Sequence, residues 1–178
     1  MLLCLLIHTT LAHYIMAGMM PGGTGAGDKT YDRLQMMLHN IDNEPFLRER
    51  VHYITDYDEN LSAAISAGAD VSVNVPEVGW EACGTSFMKD IANLTMLIST
   101  NDGGVADVEP PAVFMVHGEN YPDEIASLYA QMRAAAEAWH DDAKWTQEVA
   151  RQLGAYLPII CGTRMMRDYL RFLFKTDS

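Results

Sequence analysis

An α/β fold, a parallel sheet with helices on both faces and a helical C-terminal segment, follows from three features of the sequence. Short apolar runs alternate with stretches of helical periodicity through the first half of the chain. Glycine and proline separate them at the positions where strands and helices would end. From Asn120 onward the periodicity is helical almost to the terminus. The order β-α-β-α requires crossover helices between parallel strands, and these cover both faces of the sheet.

The elements follow in chain order. Leu2, Leu5, Leu6 and Thr9 recur at spacings of three and four, so the first residues read as a helix. No positive segment precedes this run and no Ala-x-Ala site follows, which disfavours a signal peptide; it is also too short to span a bilayer. Tyr14 to Ala17 reads as a strand, followed by a glycine-rich loop from Gly22 to Gly27. Asp28 caps a helix running to about Asn40, with Leu34, Met37, Leu38 and Ile41 on one face. Val51 to Ile54 is the next strand, and Glu59 to about Ala67 a helix stopped at Gly68. Val71 to Val75 is a strand ending at Pro76, a helix carries Lys89, and Thr95 to Ser99 is a further strand. Asn101 to Val116, with Pro110-Pro111, reads as a long connection. Three helices follow: Asp123 to His140 with Ile125, Leu128, Tyr129 and Met132 on one face, Trp145 to Tyr156, and Thr163 to Phe174. The chain is therefore expected to be one domain over residues 1–178, a Rossmann-like core over 1–118 and a helical segment over 119–178.

Ligands of such sheets sit beyond the carboxyl ends of the strands. That rule collects Gly18, Tyr57, the loop Glu77 to Gly84 and Asp102 along one edge.

Composition narrows the function. The net charge is −12 with no basic stripe, which argues against nucleic acid and anionic membrane surfaces as partners. Cys4, Cys83 and Cys161 are widely spaced and form no Cys-x-x-Cys, so neither a disulfide framework nor a zinc site is indicated, and a reducing cytoplasm fits. His8, His13, His39, His52, His117 and His140 show no metal-binding spacing, so no metal is expected. Gly22 to Thr30 approaches a phosphate-binding loop, but Asp28 stands where lysine is needed, and an Asp helix cap is the better reading. The pairs Met19-Met20, Met36-Met37 and Met165-Met166 are expected to fill core space.

The densest chemistry lies between Glu81 and Lys89. A carboxylate, a small-residue turn, the hydroxyls of Thr85 and Ser86, and a lysine fall within one short stretch. Gly84-Thr85-Ser86 running into a helix presents unpaired N–H groups to an anion, with Lys89 on the first turn beside it. A pyridoxal phosphate site needs an amine next to a phosphate cradle. The same residues also suit a plain turn and helix cap with a solvated lysine.

The stretch Glu81-Ala82-Cys83-Gly84-Thr85, two further residues, then Met88-Lys89 resembles the cofactor segment of the α-glucan phosphorylases, which have serine at the position of Cys83. Asn93 and Asp102-Gly103 fall at the family's spacing. Val51 to Tyr57 resembles its strand and tyrosine loop, Ile15 to Gly18 with Pro21 its strand and turn, and Thr163 to Tyr169 its closing helix. The resemblance runs with gaps from about Leu2 to Phe174. Met19, Phe87 and Leu94 depart from it, and Phe87 is expected to stand in the cofactor turn, where the family has a small or polar residue.

The resemblance implies the C-terminal half of a GT-B glycosyltransferase fold, with pyridoxal phosphate carried on Lys89. It makes Thr85, Ser86 and Tyr57 phosphate-side residues. Glu81 becomes the ligand of the terminal glucose, with Cys83 and Gly84 lending backbone donors. Lys89 and Glu81 are thus the catalytic candidates. The implied reaction is phosphorolysis of α-1,4-glucan to glucose 1-phosphate. The implied partners are glucan, phosphate, an N-terminal domain expected to be absent from this sequence, and a second copy in a homodimer. Two alternatives stay open: a non-catalytic binding fragment, and a nucleotide-sugar transferase in which Lys89 contacts a diphosphate.

Overall fold

The computed structural model describes residues 12–18, 25 and 27–174. The chain divides into two compact units, Met1–Ser62 and Ala63–Ser178.

In the first unit β1 (Tyr14–Ala17) pairs in parallel with β2 (Val51–Ile54), Tyr14 opposite Val51 and Ile15 opposite His52. The crossover is α1 (Lys29–Asn43) followed by the short α2 (Pro45–Arg48). Asp28 caps α1 as expected: its Oδ1 accepts the N–H groups of Thr30 at 2.8 Å and Tyr31 at 3.2 Å. A cap of this kind contributes about 1 kcal/mol, and it fills the donors a phosphate would need. Ile41, Leu47 and Val51 form the small core, with Tyr14, Met16, Met37 and Phe46 packed against it. The alternate residues Tyr14, Met16 and Val51 therefore face the helices, as period-2 side-chain alternation requires. The expected Leu2–Thr9 helix, most of the glycine-rich loop, and Met19, Met20 and Pro21 lie outside the described residues.

α3 (Glu59–Gly68) begins where Asp58 Oδ1 accepts the Leu61 N–H at 2.7 Å. In the second unit β3 (Val71–Asn74), β4 (Met96–Thr100) and β5 (Phe114–Val116) form a parallel sheet in that order. α4 (Ser86–Ala92) connects β3 to β4; α5 (Tyr121–Trp139), α6 (Asp142–Ile160) and α7 (Gly162–Phe174) follow β5. All five residues of central β4 are buried. Leu97 joins Phe87, Ile91, Val105 and Tyr156 on one face, and Ile98 joins Val116 and Ala135 on the other. Helices thus cover both faces of this sheet. Gln152 of α6 fixes the layer to β4: its Oε1 accepts the Leu97 N–H at 2.8 Å and its Nε2 donates to the Thr95 carbonyl at 2.8 Å.

The α/β class, the parallel pairing and the helical cover agree with the sequence. The strands hydrogen-bond as two sheets, one in each unit. β5 lies inside the stretch read as a connection, because three residues after Pro110-Pro111 are too few to show a period. α6 runs past the expected Tyr156 to Ile160 with Pro158 inside it. The methionine expectation fails in part: Met36, Met165 and Met166 are 61%, 48% and 52% exposed, because α7 buries none of its side chains and Met36 points away from the α1 core.

Candidate functional site

The motif occupies the loop between β3 and α4 and the start of that helix, entirely within the second unit. α4 is only seven residues long, yet its two sides are sharply divided. Phe87, Asp90 and Ile91 are buried. Thr85, Ser86 and Lys89 are exposed. Thr85 and Lys89 are four apart and Ser86 and Lys89 three apart, which places the two hydroxyls and the amine on one side of the helix. Thr85 is the N-cap residue, but its side chain makes no capping bond, so the hydroxyl is not consumed by the helix.

Phe87 does not stand in the turn as expected. It is 1% exposed and meets Tyr156 edge-on, with ring centroids 6.0 Å apart. The physical reason is the helical repeat: Phe87 and Ile91 are one turn apart and share the apolar stripe facing the core. Asp90 on the same side accepts the Ser72 Oγ hydrogen at 2.7 Å and ties α4 to β3.

The loop before the helix is clamped from the carboxyl end of β4. Asp102 Oδ2 accepts the backbone N–H of Gly79 at 2.9 Å and of Glu81 at 2.9 Å. These donors hold its carboxyl below the ordinary 3.8; the Glu81 N–H contributes most, burial opposes it, and the N–H groups of Gly103, Gly79 and Trp80 add to the lowering. The Gly104 N–H donates to the Cys83 carbonyl at 2.7 Å. Two glycines make this approach possible. A Cβ on Gly103, whose φ is +53°, would lie 2.6 Å from Glu81 Cγ and 2.7 Å from the Cys83 oxygen. One on Gly104 would lie 2.8 Å from the Phe87 ring. The Glu81 carboxylate in turn lies over Gly84, whose own Cβ would be 3.1 Å from it.

The structure therefore brings Glu81, Cys83, Gly84, Thr85, Ser86 and Lys89 onto one clamped loop and helix start, with Asp102 holding them. Asp102 was placed on this edge by the strand-end rule, but its role as a clamp has no signature in the sequence. Tyr57 lies half-buried in the loop after β2, in the first unit. A separate cleft of about 520 Å³ opens at the ends of β4 and β5, lined by Val78, Thr100, Val116, His117, Glu119 and Glu124 among others. Lys89, Thr85 and Glu81 are not among its walls. Among the described residues no three His, Cys, Asp or Glu side chains converge as a metal site, and Cys83 and Cys161 are free thiols. No described helix is long and apolar enough to cross a membrane.

Comparison with known proteins identifies the family. The family model for the carbohydrate phosphorylases matches residues 13–156. Glycogen phosphorylase of Mycobacterium tuberculosis is 29% identical over 148 residues, covering 74% of this chain and 17% of that protein. Glycogen phosphorylase of Aquifex aeolicus is 26% identical over 146 residues, covering 75% of this chain and 21% of that protein. Glycogen phosphorylase of Haemophilus influenzae is 30% identical over 97 residues, covering 53% and 12%. The chain belongs to the carbohydrate phosphorylase family, an enzyme family of the glycosyltransferase type. It spans about a fifth of the length of the relatives it matches.

Proposed function

We propose that this chain is the cofactor-binding domain of an α-glucan phosphorylase and that Lys89 holds pyridoxal phosphate. The observation that carries the reading is the exposed row Thr85, Ser86 and Lys89 on one side of α4, its loop clamped by Asp102. An amine with two uncommitted hydroxyls one turn away is the donor set the cofactor requires. When bound, the cofactor supplies a phosphate that handles the proton exchanged with the substrate phosphate.

The chain's own residues do the rest. Thr85 and Ser86 hold phosphate oxygens through their hydroxyl and N–H groups. Tyr57 is assigned beside that phosphate on the sequence match alone. Glu81 accepts a hydrogen bond from a hydroxyl of the terminal glucose, and the N–H groups of Cys83 and Gly84 donate to the same sugar. No hydrogen bond engages those two N–H groups among the described residues, which supports that role. The Asp102 clamp keeps Glu81 and the turn in register, so that the loop loses little entropy when substrate binds.

Phosphorolysis of an α-1,4-glucan to glucose 1-phosphate is assigned to the chain together with an N-terminal domain, because a glucan cleft needs two walls. On this reading the two units act as one domain, the C-terminal half of a GT-B fold, working in the cytoplasm. A homodimer is the expected assembly.

The test is incubation with pyridoxal phosphate, borohydride reduction and peptide mass analysis. A pyridoxyl adduct on Lys89, absent from Lys89→Ala, is the expected result. Labelling spread evenly over Lys29, Lys89, Lys144 and Lys175 would overturn the reading and leave a non-catalytic member of the family.

A further inference from the structure

The face of the β1–β2 sheet opposite the α1–α2 core carries two histidines that the sequence separates by 39 residues. His13 directly precedes β1, and His52 is the second residue of β2. Parallel register sets Ile15 opposite His52, so His13 is the diagonal neighbour of His52 on the same face. Tyr14, Met16 and Val51 point the other way, into the α1–α2 core. Both histidines are exposed. His13 Nδ1 and His52 Nε2 lie 3.2 Å apart, and the two rings are parallel to within 9° with centroids 5.5 Å apart.

We propose that this pair is a bidentate site for a late first-row divalent ion of the zinc, nickel or copper class. Imidazole nitrogen binds such ions at about 2.0–2.1 Å; nitrogens 3.2 Å apart then subtend roughly 100–105° at the metal. That angle lies between the octahedral and tetrahedral ideals. The rings now meet nitrogen to nitrogen, so each turns about its side-chain torsions to aim its lone pair at a common ion, which their exposure on the strands allows. Binding uses the lone pair of His13 Nδ1 and of His52 Nε2. The proton shared in the N–H···N contact is displaced, and the protons of the two neutral rings then reside on His13 Nε2 and His52 Nδ1. No proton is released overall. Water fills the remaining positions, since no third side-chain ligand converges there among the described residues. Imidazole pairs favour copper, nickel and zinc over manganese, and calcium and magnesium are not expected to bind.

The site is independent of the pyridoxal phosphate reading, and its test is separate. Metal-free full-length chain is titrated calorimetrically with Ni²⁺ and with Zn²⁺ near neutral pH. One ion per chain is expected. His13→Gln and His52→Gln should each weaken binding tenfold or more, while His140→Gln, at an exposed histidine beside Trp139, leaves it unchanged. Absence of saturable binding, or equal affinity in all three variants, overturns the proposal. Circular dichroism checks that the variants fold. A second readout needs no variant: Zn²⁺ should protect His13 and His52 of the native chain from diethyl pyrocarbonate while His39 and His140 stay reactive. Uniform reactivity would count equally against the site.

Discussion

The two units bury their strands to different depths. β4 in the second unit is buried along its whole length and lies between two apolar clusters, one built with α4 and α6, the other with α5. The two strands of the first unit share one small cluster with α1 and α2, while their other face carries His13, His52 and the half-exposed Ile15. A strand covered on both faces can hold a loop at its carboxyl end in a fixed position. A strand covered on one face leaves room for polar chemistry on the other. The motif loop follows β3 but is clamped by Asp102 from the carboxyl end of the first kind of strand, and the histidine pair lies on the second.

The largest expected effect tests this difference in depth. Phe87→Ala removes a ring that is 1% exposed and in contact with Tyr156, and it should cost about 3–5 kcal/mol. Ile41→Ala, in the small core of the first unit, should cost about 2 kcal/mol, the low end for such a change, because fewer neighbours surround the cavity. Urea unfolding of both variants measures the two values. Equal costs would break the comparison and show that the first unit is packed as tightly as the second.

A smaller effect sharpens it through pH. The Asp102 carboxyl titrates below its ordinary value when folded, chiefly because the Glu81 N–H binds its charged form. A depressed folded value means that the stabilisation is complete above the unfolded value and is lost as pH falls through the folded one. The wild-type chain should therefore lose stability below about pH 4 more steeply than Asp102→Asn, and the gap between them should narrow with acidification. Urea midpoints followed from about pH 5 down to pH 2 give the comparison. Parallel curves would mean that the loop is held without this carboxylate.

How far the sequence reveals these features depends on the range of the interactions behind them. Asp28 could be read as a cap because its partners are two and three residues away. The strands around Tyr14, Val51 and Val71 could be read because apolar runs between glycines and prolines are local patterns. The Glu81–Lys89 motif was legible for the same reason. Gln152 was not: it bridges to Thr95 and Leu97 across more than fifty residues, and a lone glutamine in a helix carries no sign of it. The His13–His52 contact needs the β1–β2 register, which spacing alone does not supply. Phe87 takes its place from the helical face it shares with Ile91 and not from its neighbours in the motif, and that face shows only when the turn is read as part of the helix.

The smallest effect concerns the position where the motif departs from serine. Cys83 is exposed, and its recorded contact with the strand-end turn runs through the backbone: its carbonyl accepts the Gly104 N–H. Cys83→Ser preserves that carbonyl and exchanges one small side chain for another in solvent. Stability should change by less than about 0.5 kcal/mol, as for surface substitutions that touch no buried group. Pyridoxyl labelling of Lys89 should be unchanged as well, because the proposed sugar donor at this position is the backbone N–H and not the thiol. A large shift in either quantity would show that the thiol itself takes part in holding the loop, and that the clamp is more than Asp102 and two glycines.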